Sequence, residues 1–452
     1  MIPPPQHQQD LLTFLRKASV STDASYRAGV LQCAEWVRGR LQTAGLQAEL
    51  HSTPGYPVVL GRSRHRPGLR TVLIYGHYDV QPVDPLNLWK HPPFEPWIEN
   101  GIVTARGASD NKGQILAHIL GVEDQLAHND LPVNVIFLIE GEEEIGSPNL
   151  FAFLEQHKAE LGCDVIVISD TTMTARRTGT LTYGLRGLVP LELSVTGPAR
   201  DLHSGVFGGA VVNPVTVLAG LVHALHFRDG AVAIPEFYSS VQSLKKWERE
   251  EWSKSPLTDA RLLEITGAPR LGGEAGFSAL ERMWARPTAE VNGLYGGYQG
   301  EGTKTVLPRE AHAKLTFRLV PDQDPEVILD LAEAYFKSLA PPTVRITTRR
   351  GHGGRPYLTD PHSGFGLAAQ KALMTTFGGP PALIREGGSI PIVEAFKRVL
   401  GVDTLLLGLA LPDCNAHSPN ETFPLENLAF GLELNKALLA EIAMVPQAGI
   451  GA

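Results

Sequence analysis

Only three cysteines, Cys33, Cys163 and Cys414, occur in 452 residues. An odd number with no CxxC pair excludes a disulfide-stapled scaffold and a thiolate zinc module. A reducing compartment, the cytoplasm, suits such a chain. The start, MIPPPQHQQD, lacks a basic head followed by an apolar core, and no run of about 18 uninterrupted apolar residues follows. An unexported protein without a membrane partner is expected. Positive charge is also in short supply: 40 Lys plus Arg against 48 Asp plus Glu leave a formal net charge of −8. That balance disfavours phosphate-backbone binding, so no nucleic-acid partner is expected. GxSxG, GxxxxGK[ST] and GxGxxG are all missing, which removes the usual marks of serine hydrolases and nucleotide sites.

What is present describes an ordinary folded chain. Hydrophobic residues make up 43% and charged residues 19%, in a length that suits two or three domains. Leu11, Leu12 and Leu15, then Val30, Leu31, Ala34, Val37 and Leu41, recur at three- and four-residue steps, which predicts two packed helices. Short apolar runs at 71–76, 133–139, 164–169 and 403–409 read as buried strands, with a helix over 112–127 between the first two. The alternation predicts an α/β domain with a mostly parallel sheet. After Gly184 the pattern changes. Strands at 188–195, 290–294, 311–320 and 343–348, with helices at 214–226 and 325–339, give a ferredoxin-like βαββαβ layout. The expectation is therefore a discontinuous α/β domain, 1–185 and 355–452, interrupted by an inserted α+β domain at 186–354. Glycine-rich stretches at 183–187 and 351–354 mark the two crossings. The polar segment 228–287, with Trp247, Trp252 and Trp284, is expected to be a helical elaboration without an assigned role.

Metal-binding residue types gather after the predicted strands, where the loops of an open α/β sheet form its ligand crevice. The 71–76 run leads to His77, Tyr78 and Asp79. In this HxD, Asp79 can orient His77 through the second ring nitrogen. Asp110, in RGASDNKG ahead of a helix, either caps that helix or binds a cation. The 133–139 run leads to Glu140, Gly141, Glu142, Glu143 and Glu144, acids that repel one another at a strand end unless solvated or neutralised by a cation. The 164–169 run ends at Asp170, and 403–409 leads on to His417. Singly these are turn or surface residues. Together, two histidines and three or more carboxylates are the oxygen and nitrogen donors of zinc, with manganese or cobalt as alternatives. Cys414 reads as a small packed thiol, since soft ligation leaves the carboxylates unexplained.

GHYDVQP at 76–82, RGASDNKG, EGEEEIGS and NAHSPNE at 415–421 resemble the co-catalytic di-zinc metallopeptidases, which include glutamate carboxypeptidase, succinyl-diaminopimelate desuccinylase and aminoacylase. The chain is more similar still to the cytosolic nonspecific dipeptidase and carnosinase branch, through DLHSGVFGG, GTKTVLP, FRLVP, HGGRP and REGGSIP. The resemblance implies two divalent ions per subunit, Zn2+ first and Mn2+ or Co2+ next. It makes His77 and Asp170 ligands of one ion, Glu144 and His417 ligands of the other, and Asp110 the bridge, with a cis peptide bond to Asn111. Asn111 stands where the family usually has a second acid. Asp79 supports His77, and the EExGS register makes Glu143 the general base and leaves Glu142 outside the ligand set. A carboxylate clamp falls on Arg318, with His352, Gly388 and Ser389 around the substrate and Arg385 in the same REGGS motif. His203, stabilising the oxyanion, and Thr305 are implied to reach the active site of a partner subunit, so a homodimer is expected and the inserted domain serves as lid and dimerisation unit. The implied activity is hydrolysis of dipeptides or short peptides with a free carboxyl terminus. An N-acyl amino acid amidohydrolase or carboxypeptidase is the alternative on the same fold, and a small-anion binding protein the non-enzymatic one.

Overall fold

Apolar runs with no polar alternation form strands buried on both faces, and four of them make the centre of the larger sheet. The computed structural model describes residues 1–446 apart from 352 and 389. Strands Asn134–Glu140, Thr71–His77, Val165–Ile168 and Thr404–Leu407 lie side by side in that order, all parallel. Their residues alternate between two cores. Val72, Ile74, Val135, Phe137, Val165, Val167, Leu405 and Leu407 face helices Arg27–Thr43, Gly113–Ala127, Gly364–Phe377 and Leu425–Ala443. Leu73, Tyr75, Ile136, Leu138, Ile166, Ile168 and Leu406 face helices Leu150–His157 and Pro391–Leu400. Burying each such side chain contributes about 1.5–3 kcal/mol before the entropy of ordering it is counted.

Beyond this centre, parallel pairing recurs where Ala382–Glu386 lies along Thr180–Leu185. Gln47–His51 and Val58–Arg62 extend one flank as antiparallel strands, and Thr180–Leu185 joins the other flank antiparallel to Thr404–Leu407. Tyr357–Leu358 and Ala382–Glu386 complete the sheet on Thr180–Leu185. The register sets the site. His77 pairs with Glu140, Tyr75 with Ile168, and Ile168 with Leu406, so the four carboxyl ends open on one rim.

The second sheet has the order Thr288–Gly296, Glu310–Leu319, Gly187–Thr196, Arg345–Arg350, antiparallel throughout. Helices Pro214–His223 and Pro325–Leu339 share its core through Leu218, Leu221, Ile328, Leu329 and Phe336. This is the expected βαββαβ order. The two crossings between the sheets touch: Leu188 N–H donates to Gly354 O at 2.9 Å, and Gly354 N–H donates to Leu188 O at 2.8 Å.

Segment 228–287 holds three short helices, Lys246–Trp252, Asp259–Thr266 and Ala279–Ala285. Although they fall within the interval expected to form the inserted domain, their Trp252, Leu262, Leu280 and Trp284 pack into the core of the larger sheet. Trp252 Nε1 donates to Leu383 O at 3.1 Å, and Tyr183 Oη donates to Glu248 at 2.7 Å. Among the described residues no helix is long and apolar enough to cross a membrane.

Candidate metal centre

Strand Thr71–His77 ends by delivering His77, fully buried, to the rim. Its Nδ1 lies 3.1 Å from Asp79 O and 3.4 Å from Asp79 Oδ1, which directs Nε2 outward. Nε2 stands 3.1 Å from Asp110 Oδ1 and 3.6 Å from Asp170 Oδ2, yet this buried atom makes no well-formed hydrogen bond. His417, half-exposed and in the left-handed region at φ 61°, approaches from the opposite side. Its Nε2 is 2.9 Å from Asp110 Oδ2 and 3.5 Å from Glu144 Oε2. Asp110 therefore presents one oxygen to each histidine. Ligand atoms of His77, Asp110 and Glu144 all fall within 4.8 Å of one another.

The supports are as specific as the donors. Asp79, fully buried, accepts hydrogen bonds from the backbone N–H of Glu143 at 3.2 Å and of Glu144 at 3.1 Å, tying the HxD turn to the acidic run. Glu142 turns away, with both oxygens held by Asn149 Nδ2 at 3.0 and 2.8 Å. The peptide bond between Asp110 and Asn111 is cis. Asn111 Nδ2 donates to Asp170 Oδ1 at 2.9 Å and to Ser169 O at 2.6 Å, leaving Asp170 Oδ2 toward His77. Gly76 makes room for this amide, since a Cβ there would sit 2.8 Å from Asn111 Oδ1.

Burial, reinforced by Asp110 and Glu143 against the pull of His77, lifts the Glu144 carboxyl to about 10. Burial with the Asp170 and Asp110 carboxylates lifts Glu143 well above the usual range. Asp110 goes the other way: burial opposes its charge, but the neighbouring His417 and His77 imidazoles outweigh it and lower the carboxyl. Burial opposes charge on His77, but the Asp170, Asp110 and Asp79 carboxylates prevail and raise it well above the ordinary value. A site that crowds this many carboxyl groups, with no arginine or lysine paired to them among the described residues, is one that divalent cations would neutralise. The donors fit zinc, manganese or cobalt.

The other expected residues lie elsewhere. His203 and Thr305 are neighbours across the short ladder Leu202–His203 with Val306–Leu307. His203 Nδ1 accepts from Gly205 N–H at 3.0 Å, and Thr305 O accepts from Ser204 N–H at 3.1 Å. Neither is hydrogen-bonded to the carboxylate cluster. Arg318, half-buried on Glu310–Leu319, lines a cavity of about 550 Å³ with Arg186, Arg286 and Glu290. Gly388 is exposed in the bend after Ala382–Glu386, and His352 and Ser389 lie outside the described residues. Arg385, expected at the substrate, is instead buried in an ion pair with Glu248, beside the rings of Tyr183 and Trp252. Strand alternation accounts for this placement. Its neighbour Glu386 takes the opposite face, where Thr172 Oγ1 donates to it at 2.9 Å. Sequence reasoning did not single out Gln81, which donates to Glu144 Oε2 at 2.7 Å, although it sits within GHYDVQP.

A discontinuous α/β sheet with paired histidines and carboxylates at its rim, interrupted by a ferredoxin-like insertion, defines a metallopeptidase. The chain belongs to peptidase family M20/M25/M40, whose model matches residues 73–441. It is 33% identical to the Cys-Gly metallodipeptidase of Schizosaccharomyces pombe, over 94% of this chain and 93% of that protein. It is 31% identical to the Beta-Ala-His dipeptidase of Homo sapiens, over 98% of this chain and 87% of that one. The M20 family metallo-carboxypeptidase Sso-CP2 from Sulfolobus solfataricus superposes with a TM-score of 0.87 at 31% identity, covering 98% of this chain and all of that one.

Proposed function

We propose that the protein is a metal-dependent dipeptidase that cleaves dipeptides or short peptides with a free carboxyl terminus. The observation that carries this reading is the meeting of His77, Asp110, Asp170, Glu144 and His417 at one rim, in a chain whose relatives are Cys-Gly and β-Ala-His dipeptidases. His77 and Asp170 would hold one divalent ion, Glu144 and His417 the other, and Asp110 both, with zinc preferred and manganese or cobalt able to replace it. Bound there, the ions supply the Lewis acidity that makes a water nucleophilic near neutral pH. Glu143, backbone-anchored to Asp79, takes the proton from the attacking water and returns it to the leaving amine. Asp79 keeps Nε2 of His77 aimed into the site.

Arg318 presents a planar fork suited to the substrate's carboxylate. His203 and Thr305, neighbours on the short ladder of the inserted domain, act in the site of a partner subunit within a homodimer. Residues 1–185 and 355–452 form the catalytic domain, and 186–354 contain the lid and dimerisation unit. The free thiols Cys33, Cys163 and Cys414 agree with work in the cytoplasm.

The test is turnover by zinc-, manganese- or cobalt-loaded protein on Cys-Gly, β-Ala-His, other dipeptides, longer peptides, and N-acetyl and N-succinyl amino acids. Dipeptides should be the preferred substrates. Cleavage of N-acyl amino acids with dipeptides untouched overturns the reading, and faster trimming of longer peptides makes the protein a carboxypeptidase like the archaeal relative. Glu143→Gln should lower kcat by about 10²–10⁴-fold while calorimetry still finds two bound ions. Retained activity would remove Glu143 from the proton-transfer role.

A further inference from the structure

Three ligand-bearing stretches of chain meet on one buried ion pair. Glu421 is fully buried, and its two oxygens accept four hydrogen bonds. Oε1 accepts from the backbone N–H of Ser109 at 2.8 Å and of Asp110 at 2.9 Å. Oε2 accepts from the N–H of Gly107 at 2.8 Å and from Arg106 Nη1 at 2.8 Å. Arg106, 1% exposed, reaches on through Nη2 to Pro82 O at 3.0 Å and has its guanidinium over the Trp89 ring. Two further bonds close the joint: Ala105 N–H to Glu421 O at 3.0 Å, and Ser109 Oγ to Thr422 O at 2.7 Å.

The pair thus connects the loop after His77, the loop that ends in Asp110, and the loop that descends from His417. It touches no donor side chain directly. Desolvation offsets most of the attraction in a buried ion pair, so stability alone is a poor reason for one. We propose that Arg106 and Glu421 are the positioning residues of the metal centre: they fix the backbone of Asp110 against the His417 loop before any ion arrives, and thereby set the affinity for the ion held by Glu144 and His417. The inference rests on the two-ion reading above and deepens it.

Glu421→Gln is the informative substitution. Each carboxylate oxygen faces two donors, so whichever way the amide is turned its NH2 opposes them. The measurement is calorimetric titration of zinc into metal-stripped protein, alongside kcat and KM for a dipeptide. Glu421→Gln should bind the second ion about 10- to 100-fold more weakly, with kcat reduced at limiting zinc, partly restored by excess zinc, and KM little changed. Arg106→Lys, which keeps the charge and loses the arm to Pro82, should fall between. Arg40→Gln is the stability control, because Arg40 is buried with Asp10 and Glu123, apart from the rim; it should lower Tm and leave both zinc affinities alone. A folded Glu421→Gln protein that binds both ions as tightly as the wild type overturns the proposal. Should that variant not fold, hydrogen exchange on the metal-free wild type decides. Slow exchange at Gly107, Ser109 and Asp110 is expected, and exchange at the rate of an open loop overturns the proposal. Wild-type protein that cleaves no dipeptide would sink the proposed function but leave these zinc and exchange readouts intact.

Discussion

His118 shows what burial does to a single imidazole behind the rim. The ring is 1% exposed, with Nε2 2.8 Å from Ser169 Oγ and Nδ1 accepting from Asn435 Nδ2 at 2.9 Å. Ser169 Oγ donates its own hydrogen bond to Leu407 O at 2.6 Å, so Nε2 carries the hydrogen and the neutral ring is satisfied. Burial pushes its pKa down to about 4. The unfolded ring titrates near 6.5, so between pH 6.5 and 4 the unfolded chain takes up a proton that the native protein refuses. Stability is therefore lost as pH falls through that window, at about 1.4 kcal/mol per pH unit and about 3 kcal/mol in all. Urea melts at pH 7 and pH 5 should show an acid loss smaller by about 2 kcal/mol in His118→Gln than in the wild type. Equal losses would contradict the assignment.

That His77, Asp110, Glu144, Asp170 and His417 would gather at one rim was legible in the sequence, because each follows an apolar run or precedes a helix, where a sheet opens. Apart from Asp79, which the HxD spacing already sets beside His77, the residues that hold them in place were not. Glu421 and Asp110 are 311 residues apart, and Asn111 and Asp170 are 59 apart. Local chemistry does not say that a loop glutamate will accept four hydrogen bonds from so distant a turn. The position of Arg385 was hidden for a related reason: a motif names a residue type, but the alternation of a strand decides which face receives it.

Among the elements, the parallel centre could be read because residues such as Val72 to Tyr75 are buried on both sides, which leaves an uninterrupted apolar run. The helices of 246–285 could not be placed, since short polar helices carry no signal for which of two cores they will join. The Gly187 crossing offers a direct check on close backbone approach. A Cβ at this position would lie 2.6 Å from Gly354 O and 2.7 Å from Pro356 N, main-chain atoms that cannot rotate aside. Gly187→Ala should cost about 1–3 kcal/mol, read as a lower Tm, whereas Gly39→Ala, where nothing lies within 4 Å, should not lower it. A Gly187→Ala protein as stable as the wild type would show that the crossing has slack.

For the molecule as a whole, the proposed sharing of sites between subunits has a quantitative signature. His203→Ala and Glu143→Ala chains, each inactive, should complement when mixed. Random exchange makes half the dimers mixed, each with one complete site, so about a quarter of wild-type activity should return. No recovery despite demonstrated subunit exchange would mean that every site is completed within its own chain.

The placement of the 246–285 helices also bears on how far the smaller sheet can swing. Ala285 is locked into the large core, and Thr288 already belongs to the small sheet. Only Arg286 and Pro287 stand between them. Three peptide links span at most about 10–11 Å, so any displacement of the smaller sheet against the larger is bounded by this short tether as well as by the paired crossings.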